Sequence, residues 1–121
     1  MGDSLTEKII SAAIEVHRIL GPGLLESIYE EALCYELLKR GMQIERQKDV
    51  DVVYKDQVIK GQRLDLLVNG EVIVEIKSVR RLEQIFIAQV LSYLKATGNK
   101  RGLIINFGQS RLIDGVKRIS L

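Results

Sequence analysis

The stretch "GQRLDLLVNGEVIVEIKSVRR", residues 61–81, restricts the fold more than any other segment. Leu64, Leu66 and Val68 alternate up to Asn69-Gly70, and Val72, Val74 and Ile76 alternate after it. Period-two apolar patterning on both sides of Asn-Gly signals a β-hairpin. If the two apolar sets share a face, Val68 pairs with Val72, Leu66 with Val74 and Leu64 with Ile76. That register puts Leu67 opposite Ile73 and Asp65 opposite Glu75. A two-residue Asn-Gly turn would shift the pairing by one and send Asp65 and Glu75 to opposite faces. The pattern therefore predicts a three-residue loop or a β-bulge at 69–71. The second face then carries Asp65, Glu75 and Lys77, with Arg63 beyond. Directly opposed carboxylates repel. A shared divalent cation removes the repulsion; a solvated face neutralised by Lys77 and Arg63 is the other reading.

The hairpin sits inside a longer order of elements. Ser4 to Leu20 reads as a helix, with Ser4 as N-cap, Glu7 completing a capping box, and Leu5, Ile9, Ala12, Ala13, Val16 and Leu20 at helical spacing. "GPG" at 21–23 stops it, and a second helix runs from about Leu24 to Arg40 before Gly41. Strands follow at Ile44–Tyr54, about Val58–Val68 and Glu71–Lys77. A third helix covers Leu82 to Thr97, and "RGLIINFG", 101–108, reads as a buried strand. "GVKRISL" near the end is a candidate edge strand. The expected class is α/β, in the order ααβββαβ(β), with one domain over residues 1–121. A crossover through the third helix makes the central sheet mixed and flanks it with helices.

Composition narrows the chemistry. One cysteine (Cys34) and one histidine (His17) argue against a disulfide framework or a zinc site built on those residues. A cytoplasmic setting is the simplest expectation. No apolar run approaches the ~20 residues of a membrane span, and charges at Asp3, Glu7 and Lys8 do not read as a signal peptide. The net charge of +2 does not by itself point to nucleic acid. The basic pairs Arg80-Arg81, Lys100-Arg101 and Lys117-Arg118 all lie in the second half.

Two polar residues interrupt apolar helical stripes. Helical angles place Glu26 between Leu33 and Leu37, beside Tyr29. An unpaired charge there would be costly, although an acid in a first turn also favours the helix dipole. In the third helix, Gln89 is the polar member of a stripe formed with Leu82, Ile85, Phe86, Tyr93 and Ala96.

These residues carry a resemblance. "GPGLLESIYEEAL" contains G-x-x-E-x-x-Y as Gly23, Glu26 and Tyr29. Asp65, the "EIK" of Glu75 and Lys77, and the "QVLSY" of Gln89 and Tyr93 follow in order. The chain resembles the GxxExxY proteins of the PD-(D/E)XK nuclease superfamily, over about residues 5–119. The residues before Asp65 are Arg63-Leu64, so the proline of the superfamily motif is absent. The resemblance implies a metal-dependent nuclease, with DNA ahead of RNA as substrate. Asp65, Glu75, Lys77, Glu26, Gln89 and Tyr93 would be catalytic. Mg²⁺ or Mn²⁺ would be held by Asp65, Glu75, Glu26 and the Ile76 carbonyl. Arg63, Arg80, Arg81, Lys100 and Arg101 are candidates for contacting nucleic acid. The competing reading is an inactive module of the same fold that binds nucleic acid or a partner protein. Without a recognition appendage, a homodimer or membership of a larger complex stays open.

Overall fold

The computed structural model describes residues 3–121. The elements are α1 (Ser4–Leu20), α2 (Glu26–Lys39), β1 (Ile44–Tyr54), β2 (Gln57–Val68), β3 (Val72–Lys77), α3 (Gln84–Thr97), β4 (Arg101–Asn106), a single 3₁₀ turn (Leu112–Gly115) and β5 (Val116–Ser120). The five strands form one mixed sheet in the order β1-β2-β3-β4-β5. Only β3 and β4 are parallel; every other neighbouring pair is antiparallel. Thus α3 is the crossover expected from the sequence, and the tail is an edge strand. Among the described residues, no helix is long and apolar enough to cross a membrane.

Two apolar layers enclose the sheet. On one side, Ile9, Ala12, Ala13 and Val16 of α1 and Tyr29, Leu33 and Leu37 of α2 meet Leu66, Val68, Val72, Val74, Ile76, Leu103 and Ile105. On the other, Val90, Tyr93 and Leu94 of α3 meet Val50, Leu64, Leu67, Ile73, Ile104 and Ile119. β3 is covered on both faces, as expected of a strand with a parallel neighbour. Each fully buried aliphatic side chain contributes about 1.5–3 kcal/mol relative to exposure, so β3 and β4 anchor the fold.

The hairpin has the predicted register: Val68 faces Val72, Leu67 faces Ile73 and Leu66 faces Val74. Asn69, Gly70 and Glu71 form the three-residue loop, with Asn69 and Gly70 in the left-handed region (φ 53° and 66°). The expectation fails at Leu64. That side chain packs with Leu67 and Ile73 on the α3 side, not with Leu66 and Val68. The ladder stops at the Leu66–Val74 pair. On the other flank of β2, pairing passes from Arg46–Leu66 to Lys48–Leu64, and the intervening Gln47 has φ 49°. The strand reorients at Asp65, so simple alternation does not carry through it.

Four helix details also differ from the sequence reading. Asp3, not Ser4, caps α1: its carboxylate accepts from Leu5 N–H at 3.1 Å. Asp3 is charged and sits where the helix dipole favours an anion, and its other oxygen takes Arg101. α2 starts at Glu26 rather than Leu24, and α3 at Gln84 rather than Leu82. The buried line of α3 runs through Val90, Tyr93 and Leu94. Ile85, Gln89 and Ala96 are exposed, so the predicted stripe is rotated.

Asn106 closes the carboxyl end of the parallel pair. It is fully buried. Its Oδ1 accepts from Val79 N–H and Gly108 N–H, and its Nδ2 donates to Val79 O, all at 3.0 Å. A Cβ at Gly108 would lie 2.2 Å from Val79 O, so only glycine allows this approach. Asn106→Ala leaves three partly buried backbone groups without partners. The expected loss is roughly 2–4 kcal/mol of unfolding free energy, checked by urea denaturation.

Candidate active site

Where the β2–β3 ladder stops, side chains replace it. Asp65 N–H donates to Glu75 Oε1 at 2.9 Å, and Ile76 N–H donates to Asp65 Oδ2 at 2.9 Å. Each acid thus takes a backbone donor on the opposite strand. The expected cross-strand meeting of Asp65 and Glu75 is present, but as a reciprocal side-chain-to-backbone exchange. The N–H and C=O of one strand residue leave on the same side, so the Ile76 carbonyl also points toward Asp65.

Both acids are held against their preference for ionisation. Glu75 is 4% exposed. Burial first, then the charge of Asp65, pushes its carboxyl up to about 8; the Asp65 N–H and Lys77 oppose the shift. Asp65 is half-buried and also raised, chiefly by burial, with the Ile76 N–H, Gln47 and Lys77 opposing. Two acids share one desolvated site that lacks a full counter-charge. Such a site takes a proton or a cation.

Lys77 follows on the same strand. Its ammonium lies 4.5 Å from the centre of the Phe86 ring, and among the described residues it forms no ion pair. Lys77, Gln62, Ile85, Phe86, Ala88 and Gln89 line an open cleft of about 590 Å³. Gln62 Oε1 is buried there without a hydrogen-bond partner among the described residues. Gln89 therefore lies on the Lys77 cleft, where a site residue would, and not in the apolar stripe to which helical spacing assigned it. Tyr93 is buried, and its hydroxyl donates to Arg63 O at 3.2 Å, bracing β2 just before Asp65. Burial, then the charges of Glu75 and Asp65, pushes its phenol up to about 12, so it remains a donor.

Glu26 is not buried in an apolar stripe. It is the exposed first residue of α2, where it complements the helix dipole. Its charge still raises both Asp65 and Glu75. Among the described residues, no three His, Cys, Asp or Glu side chains close into one metal cluster. The loop before α2 is tied to β3. Tyr29, stacked on Phe107 at 4.4 Å, donates its hydroxyl to Gly21 O at 2.5 Å and accepts from Leu24 N–H. Ser78, directly after Lys77, donates to Leu24 O at 2.7 Å.

The proposed phosphate contacts divide. Arg63 is paired with Asp49. Arg101 pairs with Asp3 and Glu71 and lies opposite Val72, at the far end of β3 from Lys77, with Lys100 beside it. Arg80 and Arg81 are exposed in the loop that follows Lys77. Two residues escaped the sequence reading. Glu30, one helical turn after Glu26, is the acid that α2 buries, and Arg46 neutralises it at 3.0 Å. Gln47 Nε2 then bridges Glu30 Oε1 (2.8 Å) and Asp65 Oδ1 (3.4 Å). The four-residue step from Glu26 to Glu30 was the available signal.

The family model of the PD-(D/E)XK nuclease superfamily matches residues 3–119. The chain belongs to this superfamily. No curated protein and no solved structure gave a significant match. PD-(D/E)XK nucleases typically use divalent metals, and the donor set here fits one. Asp65 and Glu75 offer hard oxygens in a desolvated site short of positive charge, and the Ile76 carbonyl faces the same space.

Glu75 makes the metal-free protein pH-sensitive. Its folded-state value near 8 lies above the usual 4.5. Below the lower value, both folded and unfolded chains carry the proton and the contribution to stability is complete. Between the two, only the folded chain keeps it, so stability falls as pH rises, by up to roughly 1.4 kcal/mol per pH unit. Above the higher value the loss levels off. Thermal melts of EDTA-treated protein across this range should show the fall, and Glu75→Gln should flatten it.

Proposed function

We propose that this chain is a metal-dependent nuclease of the GxxExxY branch, hydrolysing phosphodiester bonds, with DNA ahead of RNA as substrate. The reciprocal Asp65–Glu75 exchange beside Lys77 carries the reading: it gathers two carboxylates, a backbone carbonyl and an ammonium without an ion pair at one end of a strand. The motif residues support the branch. Gly23 adopts φ 99°, Glu26 opens α2, and Tyr29 fixes the loop between them against β3. A cytoplasmic setting goes with this reading, in keeping with one buried, unpaired cysteine. Assembly as a homodimer or within a larger complex belongs to the same proposal.

A divalent ion, Mg²⁺ or Mn²⁺, would supply a low-pKa water and neutralise charge on phosphate. Asp65, Glu75 and the Ile76 carbonyl would hold it, and Glu26 would complete a second position or hold Lys77. Lys77 leaves its stack on Phe86 to orient the attacking water and to favour the pentavalent anion, an interaction made mainly in the transition state. Gln89, exposed on the cleft wall, contacts the phosphate backbone. Tyr93 keeps β2, and hence Asp65, in place through the Arg63 carbonyl.

The test is cleavage of labelled single- and double-stranded DNA and RNA in Mg²⁺ or Mn²⁺. Wild type should cut, and Lys77→Ala should lose ~100-fold or more in rate with little change in substrate binding or melting temperature. Inactive wild type, together with a Lys77→Ala variant that merely melts earlier, would favour the binding module.

A further inference from the structure

The sequence contains nine arginines. Arg18, Arg40, Arg46, Arg63 and Arg101 are ion-paired, and Arg118 donates to the Thr6 hydroxyl at 3.0 Å. Among the described residues, the three left without a carboxylate or hydroxyl partner are Arg80, Arg81 and Arg111. All three are exposed. They lie in the loops that leave the carboxyl ends of β3 and β4, the parallel neighbours whose last pair is Lys77–Asn106. In open α/β sheets this is the end where ligands bind.

The loops are joined and held. Asn106 bonds Val79 through both its Oδ1 and its Nδ2. Gln109 Nε2 donates to Arg80 O at 2.6 Å, and the His17 ring nitrogen meets Gln109 O at 2.8 Å. Arg111 follows two residues later. The nearest acids in sequence, Glu83 and Asp114, make no ion pair among the described residues. Five of the other arginines find an acid and Arg118 a hydroxyl; these three stand without such a partner among the described residues, on two joined loops of which the first starts directly after Lys77 and the second sets Arg111 with Ile14, His17 and Arg18. Guanidinium groups bind phosphate in bidentate fashion and lose little freedom when their support is rigid.

From this we infer that Arg80, Arg81 and Arg111 form the surface that grips the nucleic-acid backbone next to the cleaved bond, and that Arg63, Lys100 and Arg101 do not. The inference rests on the nuclease reading and adds Arg111 and the direction in which the strand leaves the cleft.

The experiment measures binding of labelled oligonucleotides by fluorescence anisotropy across a salt series, in EDTA and in a Lys77→Ala background that suppresses cutting. Arg80→Gln/Arg81→Gln/Arg111→Gln should weaken binding ~10-fold or more at about 0.1 M salt, and should lower the slope of log affinity against log salt by about 2–3 on duplex DNA. Lys8→Gln/Lys95→Gln/Lys117→Gln removes the same net charge from exposed, unpaired lysines elsewhere and should leave the slope nearly unchanged. Equal losses from the two triple variants, or no loss from the arginine set, would overturn the surface while leaving the nuclease reading intact. A Lys77→Ala parent that binds no oligonucleotide would overturn both.

Discussion

Two backbone N–H groups, those of Asp65 and Ile76, bond to carboxylates where a regular sheet would bond strand to strand. The rest of the structure is arranged around that substitution. It ends the β2–β3 ladder, turns Leu64 to the α3 layer and leaves Gln47 in a left-handed conformation. Backbone in that region costs on the order of 1–3 kcal/mol for a non-glycine residue and persists only where its surroundings impose it. Here the surroundings are Glu30 and Asp65, both of which accept from the Gln47 amide. Buried Glu75 and half-buried Asp65 are drawn together, and the fold holds them there.

The other supports hold what surrounds this pair. Tyr29 and Ser78 fix the loop that delivers Glu26. Asn106 and Gln109 fix the loop that carries Arg80 and Arg81. Tyr93 holds the Arg63 carbonyl. These bonds link separate elements to the ends of β2 and β3, and all use neutral donors. Neutral partners suit a site of this kind, because a further fixed cation would satisfy Asp65 and Glu75 and reduce their demand for an added one.

Much of this was legible in the sequence, for local reasons. Alternating apolar residues around Asn69-Gly70 specified the register, because a slip of one residue would have turned the apolar set outward. The same reasoning gave the three-residue loop. It failed at Leu64, since alternation assumes a continuous ladder and Asp65 interrupts it. Helical spacing set Glu26 within an apolar stripe and overlooked Glu30; the alternative reading of Glu26, an acid in the first turn on the helix dipole, is the one that holds, because that turn is open to water. Gln89 was expected at the site, but its place in an apolar stripe was misread for a related reason: α3 is rotated so that Val90 and Leu94 define its buried line. Asn106, a lone polar residue in an apolar strand, gave little sign that it would bind a distant loop. Which arginines would remain unpaired depended on where Asp3, Asp49 and Glu71 landed, and no local pattern encodes that.

The central claim is that Asp65 and Glu75 form one cation-demanding site. Calorimetric titration of EDTA-treated protein with Mn²⁺ near neutral pH, repeated in buffers of different ionisation enthalpy, tests it directly. The account predicts saturable binding that releases about one proton as the metal displaces it from the acid pair, and loss of both in Asp65→Asn/Glu75→Gln. Binding without proton release, or equal binding by the double variant, would contradict it.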